Sequence, residues 1–258
     1  MIRIYPLIFI LLWCSAFITT KPIVDNSDPF AALAFRFFFV ALGFYLFSFY
    51  LNQSLITNKR NIAQSVLSGV LFHGFYLGGV FYSISIGMPV GIAALIVTLQ
   101  PVLTNILSGP ILDEKITIQQ WIGVLLGFTG ASLVLGLDIG SGIPLLGLIA
   151  TIIALLSITI STIWQRKISK NLPLSVSNFY QAFGGCLFHI LIVIFFSEPY
   201  INFTKVFIIA MSHQVLLVSF GAFTILMLLI KKKFSKQNCI DIFFNSIYLC
   251  FDGMVFFK

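Results

Sequence analysis

The chain has 258 residues, of which 59% are apolar and only 9% are Asp, Glu, Lys or Arg, with a mean hydropathy of +1.05. A soluble domain carries roughly 25% charged residues, so a soluble enzyme is excluded. No stretch of fifty residues lacks an apolar run, which leaves no room for an aqueous domain of any size.

Crossing about 30 Å of hydrocarbon takes about 20 mostly apolar helical residues. Eight such runs are read along the chain: 4–20, 29–51, 66–86, 90–112, 120–136, 144–164, 176–196 and 206–230. The first is read as a retained span and not a cleaved leader, because Lys21-Pro22 follows it and the next span starts within ten residues. The fold class expected is therefore an all-α polytopic membrane protein.

The loop charges sort with this map. Arg3, Lys59, Arg60, Lys115, Arg166, Lys167, Lys170 and the Lys231, Lys232, Lys233 and Lys236 cluster fall on one side, eleven bases against Lys21 and Lys205 on the other. Short loops rich in Lys and Arg stay cytoplasmic. The N-terminus and the lysine cluster are thus expected inside, in the plasma (inner) membrane. The net charge of +7 follows from topology and anionic headgroups, so no nucleic-acid partner is implied.

Sliding the second half onto the first at an offset of 144 residues aligns Leu11-Leu12 with Leu155-Leu156, Pro29 with Pro173, Phe35 with Phe179, Phe44 with Phe188 and Ser68 with Ser212. Five spans precede the second copy, an odd number, so it enters the membrane upside down. Inverted repeats of this kind mark secondary transporters, whose site lies between the halves near the midplane.

Trp13-Cys14-Ser15-Ala16-Phe17 with Lys21-Pro22, and Phe35-Arg36-Phe37 in the second span, resemble the opening motifs of EamA-type proteins. The most specific stretch runs through Gly91-Ile92-Ala93-Ala94-Leu95, Leu99-Gln100-Pro101-Val102-Leu103 and Asp113-Glu114 into Gln120-Trp121-Ile122-Gly123 and Gly127-Phe128-Thr129-Gly130. Together these resemble the EamA domain of the drug/metabolite transporter superfamily over roughly residues 4–230. The resemblance implies two inverted five-helix repeats, ten helices in all, and transport of small metabolites or amino acids.

The chain departs from that pattern at its end. Residues 4–136 hold a complete five-span repeat and 144–230 an incomplete one of three spans. The 231–258 tail is basic and then aromatic, and Asp241 and Asp252 make it a poor membrane segment, each costing about +2.5 to +3.5 kcal/mol at a helix centre. The expectation is a product truncated, or out of frame, after about Ile230. The A-rich lysine codons are a natural slip site, and a one-nucleotide shift can be back-translated into an apolar segment.

Seven residues are candidates for solute binding: Trp13, Arg36, His73, Tyr76, Gln100, Asn105 and Tyr180. Arg36 is the one charge well inside a span, about 10 Å below the end of its helix at ~1.5 Å per residue. Intramembrane ionisable groups usually face a cavity, although a side chain at that depth can also snorkel to the headgroups. Pro101 cannot donate to the Val97 carbonyl and stands in a stripe of Thr98, Gln100, Thr104, Asn105 and Ser108. Polar stripes beside broken helical bonds are where transporters expose solute contacts. His73 and Tyr76 share a face with Gly69, while Tyr180, Gly184 and His189 lie in the seventh span. Trp13 sits in mid-span, away from the interfacial belts. Gly74 with Gly78, and Gly123 with Gly127, are read as helix-packing glycines.

There is no metal-ligand spacing, phosphate loop, nucleophile triad or paired carboxylate in the spans, so no cofactor and no enzymatic activity are expected. The expected function is transport of a small solute by alternating access, with export as the direction and an ion or solute gradient as the energy source. A truncated remnant that inserts but does not transport is the alternative. The partners expected are the bilayer and a small solute, and a homodimer is compatible with this reading. Reporter fusions in the 52–62, 113–118 and 165–172 loops should read cytoplasmic, and those in the 21–28, 138–143 and 197–204 loops external. A well-expressed fusion at residue 170 reading external would refute the map.

Overall fold

A computed structural model describes residues 5–112, 143–168 and 172–233, with Ile118, Trp121, Ile122, Leu125, Leu126 and Thr129. Most of the fifth predicted span, with Gly123 and Gly127, lies outside the described residues. So does the tail from 234 onward, and with it the expectation of a displaced reading frame. The described chain is helical, with α1 (Tyr5–Val24), α2 (Pro29–Tyr50), α3 (Lys59–Ser85), α4 (Val90–Val97), α5 (Gln100–Leu112), α6 (Leu145–Ile168), α7 (Leu174–Phe196) and α8 (205–233). Six of these, α1 to α3 and α6 to α8, are long and apolar enough to cross a membrane. The chain is an all-α polytopic membrane protein.

Two boundaries differ from the sequence expectation. Helix α3 begins at Lys59, seven residues before the predicted span, with the Asn58 side chain accepting from the Arg60 amide at 2.9 Å. Lys59, Arg60, Asn61 and Gln64 are too polar for the hydrocarbon and hide a helix that continues into the headgroup layer. The fourth predicted span is two helices separated by a turn at Thr98 and Leu99, whose amides reach back to Leu95 and Ile96. Pro101 therefore does not break a continuous helix from within. It stands in the first turn of α5, where its missing N–H leaves no helical bond unmade.

The outward faces carry the large apolar side chains, including Phe38, Leu42, Leu46 and Phe49 of α2 and Leu187, Ile190 and Ile194 of α7. The polar side chains turn inward: Ser68, Thr159, Ser161, Gln165, Asn178, Gln181 and His189 are all buried. Lipid tails are as apolar as leucine, so such helices associate through close packing and internal hydrogen bonds and not through hydrophobic burial. Helix α3 presses on α7 in this way. A Cβ built on Gly69 would stand 2.1 Å from the Gln181 carbonyl oxygen, and one on Gly184 would stand 2.6 Å from that of Val66. Gly74 and Gly78 meet Phe188 and His189 of α7 on the same seam.

The first three helices of each half match at the 144-residue offset. Helices α2 and α7 start at corresponding positions, Pro29 and Pro173-Leu174. Both α3 and α8 contain a π-helical stretch, Val70–Tyr76 and Gln214–Ala222, whose first residues are again 144 apart. Neither stretch is signalled by the order of residues. The counterparts α2 and α7 cross antiparallel, with Phe30 near His189, Cys186 bonded to the Ala34 carbonyl and Tyr45 near Phe179. Helix α1 packs antiparallel on α8, Ser15 meeting His213 and Leu12 meeting Gly221. Helix α3 packs likewise on α6, Ser68 meeting Ser161 and Gly79 meeting Ala150. Exchanging the halves leaves this pattern unchanged, as an inverted repeat requires.

The loops are tied at both ends. Ser27 and Ile201 form an antiparallel bridge flanked by Asp28 N to Tyr200 O at 3.0 Å and Asn202 N to Asn26 O at 2.8 Å. Ser197 Oγ donates to the Asp28 carboxylate at 2.6 Å. At the opposite end Tyr180 OH donates to the Leu55 carbonyl at 2.7 Å and Ser175 bonds Gln53.

The glycine contact is testable. Gly69→Ala should lower the melting temperature of the purified protein in detergent, because a methyl cannot occupy the position of a backbone oxygen without parting α3 from α7. Overpacking of this kind costs about 1–3 kcal/mol. Gly221→Ala, whose Cβ would meet nothing closer than the flexible end of Leu12 at 3.2 Å, should be tolerated. Equal melting of the two variants would contradict this packing.

Candidate functional site

The π-helical stretches of α3 and α8 face a cavity that α1 and α2 complete. Widening a helix to a π turn realigns the side chains on one face, and such turns recur at functional sites. Gln214, Val218, Ser219 and Phe223 line it from α8, and Phe72, His73, Tyr76, Leu77 and Val80 from α3. Trp13, Ala16, Phe17 and Thr20 come from α1 and Arg36 from α2. The enclosed part of the cavity measures about 30 Å³, and the rest is an open mouth.

Its wall is aromatic. The Trp13 and Tyr76 rings are nearly parallel, with centroids 6.5 Å apart, and Phe72 meets both edge-on at 6.0 and 5.5 Å. Phe223 packs against His73 at 4.7 Å and Phe72 at 5.1 Å. Into this wall projects Arg36, 3% exposed. Its Nε donates to Ser219 Oγ at 3.0 Å, and its guanidinium carbon lies 5.3 Å from the Phe37 ring centroid. Among the described residues the one ion pair is Lys21 with Asp25, at the exposed end of α1. No described carboxylate neutralises the buried guanidinium.

Gln214 spans the junction of α1 and α8. Its Nε2 donates to the Ala16 carbonyl at 2.8 Å and to Thr19 Oγ1 at 2.9 Å. Its Oε1 and His73 Nδ1 are buried without a partner among the described residues. Buried polar atoms of this kind are uncommon in folded proteins; on a cavity wall they are groups a solute or water can satisfy.

Four of the seven sequence candidates, Trp13, Arg36, His73 and Tyr76, come together on this wall. The other three do not join them. Gln100 is buried between α5 and α6, donating to Thr104 and Thr162 at 3.3 Å each. Tyr180 is spent on the Leu55 carbonyl at the far end of α7. The Asn105 side chain lies outside the described residues. His189 is a packing group: its Nε2 pairs with the His73 carbonyl at 2.9 Å and its ring lies over Phe37. Sequence reasoning missed Gln214 and Ser219. Their signal was a glutamine and a serine five residues apart in an apolar run, but only a π turn puts that spacing on one face.

Among the described residues no group of three or more His, Cys, Asp or Glu side chains could hold a metal ion. The cavity offers aromatic surfaces and one fixed positive charge.

Comparison with known proteins fits this arrangement. A solved crystal structure of another protein superposes with a TM-score of 0.67 over 97% of this chain and 94% of that one, at 16% identity, a likeness of fold. The uncharacterized transporter YvbV of Bacillus subtilis (strain 168) is 24% identical over 172 residues, which is 62% of this chain and 55% of that protein. The match thus spans little more than half of that relative's length. The EamA-like transporter family matches residues 3–136, just over half of the chain and the whole of the first predicted repeat. The chain belongs to the EamA-like transporter family.

Proposed function

We propose that the protein carries a small organic solute, a metabolite or amino acid, across the plasma (inner) membrane by alternating access, with export as its direction. The cavity between α1, α2, α3 and α8 is the solute site. The observation that carries this reading is Arg36, a guanidinium held in mid-protein beside an aromatic wall with no described carboxylate to balance it. A charge there costs several kcal/mol, and packing alone does not need it. The excess of bases in the 52–62, 113–118 and 165–172 loops supports a cytoplasmic N-terminus.

Alternating access needs two ends that open in turn. The tie between the 25–28 and 197–204 loops is then the seal of one end, and the contacts of Gln53 and Leu55 with α7 the seal of the other. Few bonds hold each seal, so opening either exchanges a handful of hydrogen bonds for water, at a net of about 1 kcal/mol each. The halves can rock without unfolding.

A reversible lock tests this. Residues facing one another in an antiparallel bridge are close enough for a disulfide, so Ser27→Cys with Ile201→Cys should crosslink the first seal. In proteoliposomes loaded with labelled amino acids and small carboxylates, oxidation should stop flux and reductant should restore it, with the parent chain unaffected. Undiminished flux through the crosslinked protein would refute alternating access. No flux of any solute through the parent chain would refute transport.

A further inference from the structure

The cavity is chemically lopsided, and the imbalance specifies a ligand. We propose that it binds an organic monocarboxylate with an apolar, ring-sized body, and that it rejects organic cations. The inference rests on reading the cavity as a solute site.

The positive end is Arg36. One of its donors is engaged by Ser219 at 3.0 Å, and a guanidinium offers five in a planar fork that matches a carboxylate edge. It is 3% exposed and lines the cavity, and the one described ion pair lies elsewhere, between Lys21 and Asp25. A carboxylate entering here gains a charge-assisted bond to a group that has already lost its water. An ammonium meets an unbalanced like charge in low dielectric. Trp13, Phe72 and Tyr76 could otherwise hold a cation by their ring faces, but that attraction is weaker than the repulsion between two like charges held close together in a buried site. The guanidinium decides the sign.

The rest of the wall fixes the number of charges. Beyond Arg36 the described groups are rings, aliphatic side chains, hydroxyls, Gln214, whose Oε1 has no partner, and His73, whose Nδ1 has none either. A second carboxylate would find no second guanidinium or ammonium there, only the His73 imidazole packed between Phe37 and Phe223. The apolar part of a solute, by contrast, meets the Trp13, Phe72 and Tyr76 side chains that line the mouth of the cavity. One carboxylate on an apolar body is what these surfaces accommodate.

Four probes of matched shape test the inference by calorimetry on the purified full chain in detergent: 3-phenylpropanoate, 3-phenylpropanamide, 3-phenylpropylammonium and benzylmalonate. The propanoate should bind at least about tenfold more tightly than the neutral amide, and the ammonium and the dianion more weakly than the propanoate. In Arg36→Gln the preference of propanoate over amide should collapse to about twofold or less. Arg36→Lys keeps the sign of the charge and should keep a reduced preference, so a poorly folding glutamine variant leaves a second reading. Equal binding of propanoate and amide, tightest binding of the ammonium or the dianion, no binding of any probe, or a full preference surviving both substitutions would overturn the inference. Liposome flux separates the two levels. Transport of labelled solutes without regard to charge would overturn only the carboxylate specificity, whereas no transport of any solute alongside a measured carboxylate preference would overturn only the transporter reading.

Discussion

The antiparallel crossing of α2 and α7 is the constraint on which the rest of the molecule depends. These helices are counterparts in the two halves, and they run past one another from Phe30 beside His189 to Tyr45 beside Phe179. Once a helix packs on its own inverted copy, the remaining pairs come in symmetric couples: α1 meets α8, and α6 then meets α3 in the same way. The short ties at both ends then follow, because loops that leave the crossing pair at one end return to the bundle at that end. In lipid, where apolar burial drives nothing, the crossing holds only if backbones approach closely and polar atoms find partners inside. Gly69 and Gly184 supply the approach next to it, and Ser68, Gln165 and Gln181 supply the bonds.

Symmetry offers two equivalent spaces, and the sequence treats them differently. Between α1, α2, α3 and α8 lies the cavity with Arg36. At the 144-residue offset Arg36 becomes Tyr180, Phe37 becomes Gln181 and Phe17 becomes Ser161. On that side the polar groups bond to one another: Ser161 Oγ donates to the Ser68 carbonyl at 3.1 Å and Gln165 Nε2 to Gln181 Oε1 at 2.8 Å. One space is lined with rings and a charge; the other holds neutral polar groups that bond to one another, with Gln165 Oε1 left without a partner among the described residues. A second buried guanidinium would have cost about another 2.5–3.5 kcal/mol, and the repeat avoids it by spending Tyr180 on a loop carbonyl instead.

How much of this was legible follows from what each feature depends on. Long apolar runs and the 144-residue offset act over many residues at once, so six of the eight spans and the match between the first three helices of each half could be read from the string. Arg36 stood out because a charge in hydrocarbon is costly wherever it points. Gln100 and Tyr180 stand apart from the cavity for a related reason: a polar residue in a span must bond to something, but the string does not say whether the partner is a solute, a neighbouring helix or a loop carbonyl. In the fold those partners are Thr104 and Thr162 for Gln100, and Leu55 for Tyr180. The start of α3 was hidden because a helix in the headgroup layer needs no apolar residues.

The π turns lie beyond sequence reading altogether, and the site depends on them. At 3.6 residues per turn, Gln214 and Ser219 would be about 140° apart around the axis. The wider i→i+5 turn brings them onto one face, where one bonds α1 and the other holds Arg36 of α2. The same widening in α3 presents Phe72, His73 and Tyr76 to the cavity together. A π turn is less favourable than an α turn and persists only where tertiary contacts repay it. Here it is repaid by the bonds from Gln214 to Ala16 and from Arg36 to Ser219, both of which span the two halves. Rocking the halves apart would break those bonds and remove the support for the π geometry. The shape of the cavity wall is thereby coupled to the relative position of the halves.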